Sequence, residues 1–351
     1  MSKRILIMEQ HIRCPYCAAP LSLGAEACVC LGCHKIFPVV FGIPDLRVPA
    51  DAWIDFEEDR AFAISLAEHY HTETFESLIV QVLKHCEGDI PQEIVNRRIV
   101  RINEAQSKYA EDLSAAGWIG SLLDNSSGRS CVELGCGMGA FLAAAANHFD
   151  FVIGLDISLS WLIAAKKRLE GLGLNCSLVC ACVERLPLQS DKFDLTVALD
   201  VIEHVTDARQ MFEEVGRVTR PGGRVACTTP NRFSLSAEPH VGVWGVGFVP
   251  RKWMPAYVRW RNGMLYRYTY PKSLFGLRQL FKRQPEFDLK IKTPTLWEGE
   301  VKAFSPTKRI FAQLYNQAIR LRILRSILLP VAPFFYIIAQ KRPDAPNSRR
   351  N

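Results

Sequence analysis

From Ser130 onward the chain alternates between short apolar runs and stretches of helical spacing, and this alternation narrows its fold more than any other feature. SCVELGC, FVIGLDI, CSLVCAC, FDLTVALDVI and GRVACTTP read as strands, whereas GAFLAAAANHF, SLSWLIAAKKRLEGLG and DARQMFEEVGRVTR read as helices. Such repetition predicts an α/β fold, a parallel sheet with helices on both faces. With 351 residues and 48% hydrophobic content the chain can bury the core that sheet requires. The alternation occupies residues 128–231. Residues 51–127 carry apolar side chains at helical spacing and predict a helical layer, closed by the turn signal DNSSGR. After Asn231 the pattern breaks into an insertion over 232–284, rich in Trp, Tyr and Arg. It returns over 285–341, where FDLKIKT and FFYIIAQKR read as late strands. Residues 342–351 read as a disordered tail.

The stretch CVELGCGMGA joins the first strand to the first helix. Gly135, Gly137 and Ala140 fit the G-x-G-x-x-G/A spacing of a dinucleotide loop, and Gly135, Gly137 and Gly139 fit the loop of an S-adenosylmethionine (SAM) site equally well. Glycine there lets backbone approach a ligand where a side chain would collide, although a tight turn that binds nothing is the plainer alternative. A dinucleotide sets its pyrophosphate against the helix N-terminus, where Glu133, two residues before Gly135, would repel it. SAM has no phosphate and presents an ammonium and a sulfonium, so the charge of Glu133 points to SAM. Asp156, at the end of the next strand, is placed to accept hydrogen bonds from ribose hydroxyls in either case.

Downstream come CVERLPLQSDKFD, LDVIEHV and RPGGRVACTTPN, in that order after successive strands. With the glycine loop they resemble the class I SAM-dependent methyltransferases, in particular the group that includes the ubiquinone-biosynthesis methyltransferases. The resemblance covers residues 128–231 closely and takes in FFYIIAQKR as the family's last, antiparallel strand. It implies a seven-stranded, mostly parallel Rossmann-like sheet of order 3-2-1-4-5-7-6. It also implies that ELGCG lies under the methionine and ribose of SAM, that Asp156 holds the ribose, and that ACVERLPL approaches the adenine. Where the family usually has Asp, this chain has Cys182. A thiol accepts poorly from the adenine amino group, so the Val183 backbone is expected to carry that contact, and the lost bond costs roughly 1 kcal/mol. The expected cofactor set is Glu133, Gly135, Gly137, Asp156, Val183 and Asp200.

Five of the twelve cysteines fall between residues 14 and 33. Cys14-Pro-Tyr-Cys17 and Cys30-Leu-Gly-Cys33 are two C-x-x-C knuckles separated by twelve residues, the arrangement that offers four thiolates to a closed, structural zinc site. Unmetallated thiols or a redox pair are the alternative. Cys28 and His34 rank below Cys30 and Cys33, which keep the spacing. Residues 1–50 thus predict a small separate module, too short to fold on apolar burial alone and stabilised by its metal. With FPVVFGIPDLR it resembles the zinc-ribbon proteins that accompany tRNA and rRNA methyltransferases, an element also found fused to ordinary methyltransferases.

Methyl transfer requires an aligned acceptor and, for a hydroxyl, removal of its proton. Asp200-Val-Ile-Glu203-His204 lies at the strand end that the acceptor approaches, and His240 follows in the insertion. His204 and His240 are the candidate catalytic residues. His204 offers a general base, or Asp200, Glu203, His204 and His240 offer ligands to a divalent ion, as an E-x-x-E-H run does in the ubiquinone O-methyltransferases and the small-RNA 2′-O-methyltransferases, which this chain resembles with Asp200 in first place. Against both stands the plain role of Glu-His in capping and packing a strand end.

The aromatic and basic insertion suits a lid or acceptor platform for a small-molecule or lipid-linked acceptor, or for stacked bases of RNA. A small subdomain whose Trp and Tyr residues fill its own core is the simpler reading. KRIFAQLYNQAIRLRILRSILL is apolar and basic together; it is expected to pack against the sheet, and it also suits peripheral contact with anionic lipid. A formal charge of +7, from 43 basic and 36 acidic residues, names no partner. No apolar run follows MSKR, and ILLPVAPFFYIIA is short and interrupted by proline, so neither a signal peptide nor a membrane span is expected and the cytoplasm is the expected compartment. Twelve cysteines then read as free thiols or metal ligands. The expected activity is SAM-dependent methylation of a small-molecule or lipid-linked hydroxyl; RNA modification and a catalytically silent binding module are the alternatives.

Overall fold

The computed structural model of the chain describes residues 8–48, 51, 54–88, 92–114, 117–123 and 129–344. Most of the turn signal, at 124–128, and most of the tail, at 345–351, lie outside the described residues. Seven strands form the central sheet: β5 (Ser130–Leu134), β6 (Phe151–Asp156), β7 (Ser177–Cys180), β8 (Phe193–Leu199), β9 (Thr219–Pro230), β10 (Phe287–Lys292) and β11 (Phe334–Lys341). Their order is β10-β11-β9-β8-β5-β6-β7, which is 3-2-1-4-5-7-6 when the seven are counted along the chain. β5 to β9 pair in parallel, and β11 runs antiparallel to both β9 and β10. Every residue of β5 is buried, as a parallel strand covered on both faces must be. The register sets Glu133 beside Gly154 and Val197 and brings the C-terminal ends of β5, β6 and β8 to one edge of the sheet. Ligands of open α/β sheets bind at that edge.

The helical layer consists of α1 (Phe56–Glu68), α2 (Phe75–Glu87) and α3 (Gln92–Leu113). Asp55 and Thr74 accept the first-turn amides of α1 and α2, so both helices begin where the sequence provides a capping side chain. Leu66, Leu78 and Val82 join one apolar cluster with Leu142 of α4 (Ala140–Ala145) and Leu162 of α5 (Leu159–Gly171). The layer therefore covers one face of the sheet.

The N-terminal module is a four-stranded antiparallel sheet, β1 (Leu21–Leu23), β2 (Ala27–Cys30), β3 (Ile36–Val40) and β4 (Ile43–Pro44). It is not separate. Met8, Ile12, Leu21 and Leu46 share an apolar cluster with Val179, Leu186 and Leu188 of the central domain. Leu46 N donates to Cys180 O at 2.8 Å, and Arg13 N donates to Pro187 O at 2.8 Å. The module thus covers the otherwise open edge of β7.

After α6 (Ala208–Val218), which joins β8 to β9, the insertion carries α7 (Met254–Asn262) and α8 (Leu274–Phe281). Val241, Val246, Met254, Val258 and Tyr266 form its own small core. Its tryptophans do not fill that core: Trp244, Trp253 and Trp260 are exposed. Between β10 and β11 lie α9 (Glu298–Ala303), α10 (Pro306–Ala318) and α11 (Arg322–Leu328). The expectation that this stretch packs against the sheet is corrected. α10 buries only Ala312, no residue of α11 is buried, and the large apolar side chains of both face solvent.

A buried ionic network joins these parts. Arg47 donates from Nε and Nη2 to the two carboxylate oxygens of Asp45, at 2.8 and 2.7 Å, and from Nη1 to Asp59 Oδ2 at 2.7 Å. Asp59, in α1, also accepts from Leu159 N at 2.7 Å and from the hydroxyls of Ser158 and Ser160, so it caps α5 from a neighbouring helix. Burial alone would raise the Asp45 carboxyl, but Arg47 and Arg60 outweigh it and hold the group below its ordinary value. Its contribution to stability is therefore complete above the unfolded carboxylate range and lost as pH falls through the depressed value. Arg47→Met leaves two buried carboxylates without their shared cation and is expected to cost about 3–5 kcal/mol in urea denaturation. Arg60→Met, at a half-exposed partner, should cost under about 1 kcal/mol; equal losses would refute this assignment.

Candidate active site and metal cluster

Gly135 follows the last residue of β5 with φ +69°, and Gly139 takes φ +75° immediately before α4. A Cβ built on Gly135 would stand 2.5 Å from Val201 Cγ2, so the bend depends both on left-handed backbone and on the missing side chain. Asp156 fixes the bend: its Oδ2 accepts from Gly137 N at 2.8 Å and its Oδ1 from Ser158 N at 2.9 Å. Burial pushes the Asp156 carboxyl up to about 6, against the lowering effect of those two amides. The loop and the acid expected to hold a ribose are thus one hydrogen-bonded unit.

Glu133 requires a correction. It does not stand at an open mouth of the bend but is 3% exposed within β5. Burial, and then Asp156, push its carboxyl well above the usual carboxylate range. Its Oε2 has no hydrogen-bond partner among the described residues. A buried carboxyl oxygen left unpaired at the ligand-binding edge is what an ammonium-bearing ligand would complete. Val183 lies in the loop after β7, half-buried, and Cys182 beside it is buried, its thiol pushed up to about 12 by burial and then by Glu184.

The segment after β8 turns sharply at Asp200, whose φ is +57°. Asp200 Oδ1 accepts from Thr228 Oγ1 at 2.7 Å. Among the described residues the carboxyl and imidazole atoms that converge belong instead to Glu203, His204 and His240, all within 4.8 Å of one another. The cation set drawn from Asp200, Glu203, His204 and His240 is corrected accordingly: Asp200 leaves, because the turn points it at β9. Glu203 is fully buried; its Oε2 accepts from Thr229 Oγ1 at 2.9 Å, and its Oε1 has no hydrogen-bond partner among the described residues and lies 4.0 Å from His240 Nε2. Burial and then Asp200 push the Glu203 carboxyl well above its ordinary value.

The two rings face each other with Nε2 atoms 3.1 Å apart. His240 Nδ1 lies 2.6 Å from Glu238 Oε1, and His204 Nδ1 lies 3.4 Å from Tyr268 O. Both of those partners can accept from an Nδ1–H, while the 3.1 Å Nε2 contact is itself a hydrogen bond in which one ring donates; a bound cation would displace that proton and take both Nε2 lone pairs beside the unpaired carboxyl oxygen. Burial and then the second imidazole lower the His204 pKa to about 4, so the ring is neutral at ordinary pH, the form that binds metal. A small, shallow recess lined in part by Asn231, Ser236, Glu238 and Pro271 opens beside the cluster.

At the other end of the chain Cys14, Cys17, Cys30 and Cys33 gather with all four Sγ atoms within 4.8 Å. Burial would raise the Cys30 thiol, but the amides of Cys33 and Gly32, which donate to its Sγ at 3.3 and 3.4 Å, bring it down to about 6. Cys28 and His34 stand outside the group. The donor chemistry suits a closed tetrahedral zinc site.

Residues 132–227 match the protein-family model described as a methyltransferase domain. This core segment is therefore similar to a methyltransferase domain. Among curated proteins the chain is similar to a ubiquinone biosynthesis O-methyltransferase of Coxiella burnetii, 32% identical over 30% of this chain and 45% of the relative. A second relative of the same description, from Rhodopseudomonas palustris, is 33% identical over 37% of this chain and 49% of its own length. The chain thus spans about half the length of the curated relatives it matches. Among solved structures it is similar to an S-adenosylmethionine-dependent methyltransferase from Mesorhizobium loti, at 20% identity over 64% of this chain and 96% of that chain, with a TM-score of 0.45.

Sequence reasoning did not single out Glu238, Thr229 or Tyr268, which contact the members of the His-Glu cluster. Glu238 stands two residues before His240, a spacing that could have suggested it. Thr229 and Tyr268 reach the cluster only through strand register and the return of the insertion. The glycine bend yields a direct test. Gly135→Ala should destabilise the domain by about 1–3 kcal/mol in urea denaturation, from the Val201 contact and the left-handed backbone together. Adding Val201→Ala removes the first cause only, so recovery should be partial; full recovery would mean that the backbone is unstrained.

Proposed function

We propose that the chain is a SAM-dependent methyltransferase acting on a hydroxyl of a small-molecule or lipid-linked acceptor, with a divalent cation held by Glu203, His204 and His240 and a structural zinc held by the four cysteines. The observation that carries the reading is the pair of buried, incompletely bonded carboxyls, Glu133 and Glu203, at the edge where the glycine bend and the histidine pair meet. When bound, SAM supplies an electrophilic methyl carbon on a sulfonium, and a divalent cation supplies the Lewis acidity that lowers the pKa of a hydroxyl. The chain does the rest. The Gly135–Gly139 bend admits a ligand close to backbone, Asp156 offers its remaining lone pairs to ribose hydroxyls, and Glu133 answers an ammonium. Glu238 and Thr229 hold His240 and Glu203 in place, as outer partners of metal ligands do. A ring with a pKa near 4 is a weak general base at neutral pH, which favours the ligand role of His204 over the base role. The names of the curated relatives support O-methylation of a small molecule and lend nothing to RNA.

Calorimetry should record saturable binding of SAM, abolished by Gly135→Arg in a chain that keeps its circular dichroism. Absence of heat with the unaltered protein would leave only a silent binding module. Manganese, titrated by electron paramagnetic resonance, should bind roughly tenfold or more weakly to Glu203→Gln and to His240→Ala, the loss expected on deleting one ligand of a small set; unchanged affinity would remove the cation and restore the base role. A mass search for a gain of one methylene among extract metabolites would then name the acceptor. For the cysteine cluster, atomic emission should find about one zinc per chain, and none after Cys30→Ser, with the N-terminal module unfolding in the same variant.

A further inference from the structure

We infer that α10 and α11 form a docking surface for an anionic lipid bilayer. Residues 301–343 contain no Asp or Glu. Over the same stretch Lys308, Arg309, Arg320, Arg322 and Arg325 are exposed. Between them stand large apolar side chains in open solvent. On α10 these are Ile310, Phe311 and Leu314, with Phe311 67% exposed, and on α11 they are Ile323, Leu324 and Ile327, with Ile323 76% exposed. Each set has the i, i+1, i+4 spacing that places three side chains on one helical face.

The opposite face of α10 is fixed to the protein, which rules out rotation of the apolar face inward. Ala312 and Ile319 are buried, Tyr315 Oη donates to Pro294 O at 3.0 Å, and Asn316 exchanges two hydrogen bonds with the backbone of Leu296, both at 2.9 Å. The apolar face continues past α11 through hydrogen-bonded neighbours. Leu235 N donates to Val331 O at 3.2 Å, Trp244 Nε1 donates to Leu235 O at 3.0 Å, and Leu235 and Trp244 are 60% and 58% exposed. Tryptophan with an apolar body and a bonded ring N–H suits the headgroup boundary of a bilayer.

Cations of one sign interleaved with exposed Ile, Leu, Phe and Trp identify the occupant by charge as well as by apolarity. An anionic lipid surface satisfies both, apolar side chains entering the acyl boundary and arginines meeting phosphate headgroups. No helix among the described residues is long and apolar enough to cross a membrane, and α10 and α11, of 13 and 7 residues, would lie along the surface. The docking does not depend on the methyl-transfer reading.

Sedimentation of the full chain with phosphatidylcholine vesicles, with and without phosphatidylglycerol, tests it. Binding should require the anionic lipid and weaken with salt. It should fall roughly tenfold or more when Arg320, Arg322 and Arg325 are all replaced by Gln, and likewise in Phe311→Asp with Ile323→Asp. Both variants should keep the SAM heat and circular dichroism of the parent, which separates loss of docking from loss of fold or cofactor. No binding, or equal binding to neutral vesicles, overturns the inference. So does a dimer of the parent that Phe311→Asp dissociates, which would give the face to a second copy. RNA binding that the arginine variant loses and the Asp variant retains, in the absence of vesicle binding, would give it to nucleic acid.

Discussion

One guanidinium connects three parts of this chain. All five N–H donors of Arg47 are used: two on Asp45, one on Asp59, one on the carbonyl of Phe56 and one on the carbonyl of Ile157. Asp45 belongs to the end of the N-terminal sheet, Asp59 and Phe56 to the helical layer, and Ile157 follows Asp156, the acid that fixes the glycine bend. A lysine could not replace it, since a compact ammonium lacks the planar fork that meets both oxygens of Asp45 while reaching Asp59. Burial makes the geometry exacting, because each charge removed from water must recover its lost hydration from a partner in place. The cofactor edge of the sheet is therefore braced from outside the domain that forms it.

That brace bears on the chemistry because the edge it supports holds groups that the protein alone does not satisfy. Glu133 and Glu203 are both buried, both have one oxygen unpaired among the described residues, and burial moves both toward the neutral acid. Left to relax, a fold would turn such groups toward water or toward a donor. Here strand register keeps Glu133 inside β5, and the bond from Thr229 keeps Glu203 beside the two imidazoles. Held in place without full partners, the carboxyls are preorganised for cations, one organic and one metallic in the proposed reading.

The N-terminal module illustrates how two sources of stability combine. Its four thiols gather at one end, where a metal would tie the knuckles, and its apolar side chains lie against β7 and the loop after it. Apolar burial is small for a segment of this size, a bound metal would supply the larger share, and the edge strand gains a cover from the arrangement.

The period of the apolar residues, read along the chain, was enough for the parallel sheet, its helices and the late strands, because strand and helix impose different repeats on any sequence that forms them; the antiparallel sense of the last strand came from the family resemblance. Spacing was also enough to single out the two cysteine knuckles and the glycine run, each of which is written within a few consecutive residues. What sequence could not settle depended on groups distant along the chain. The burial of Glu133 inside β5, which pushes its carboxyl upward, is one such case, because no local pattern records burial. Asp200 was placed with the cation ligands by a motif, yet its left-handed turn directs it to Thr228. His240 joined the cluster through the fold of the insertion, and Arg47 met Asp59 across elements that only packing brings together. Periodicity fixes which face of an element is buried; the contacts among those faces belong to the tertiary structure, since a contact is a property of two segments at once.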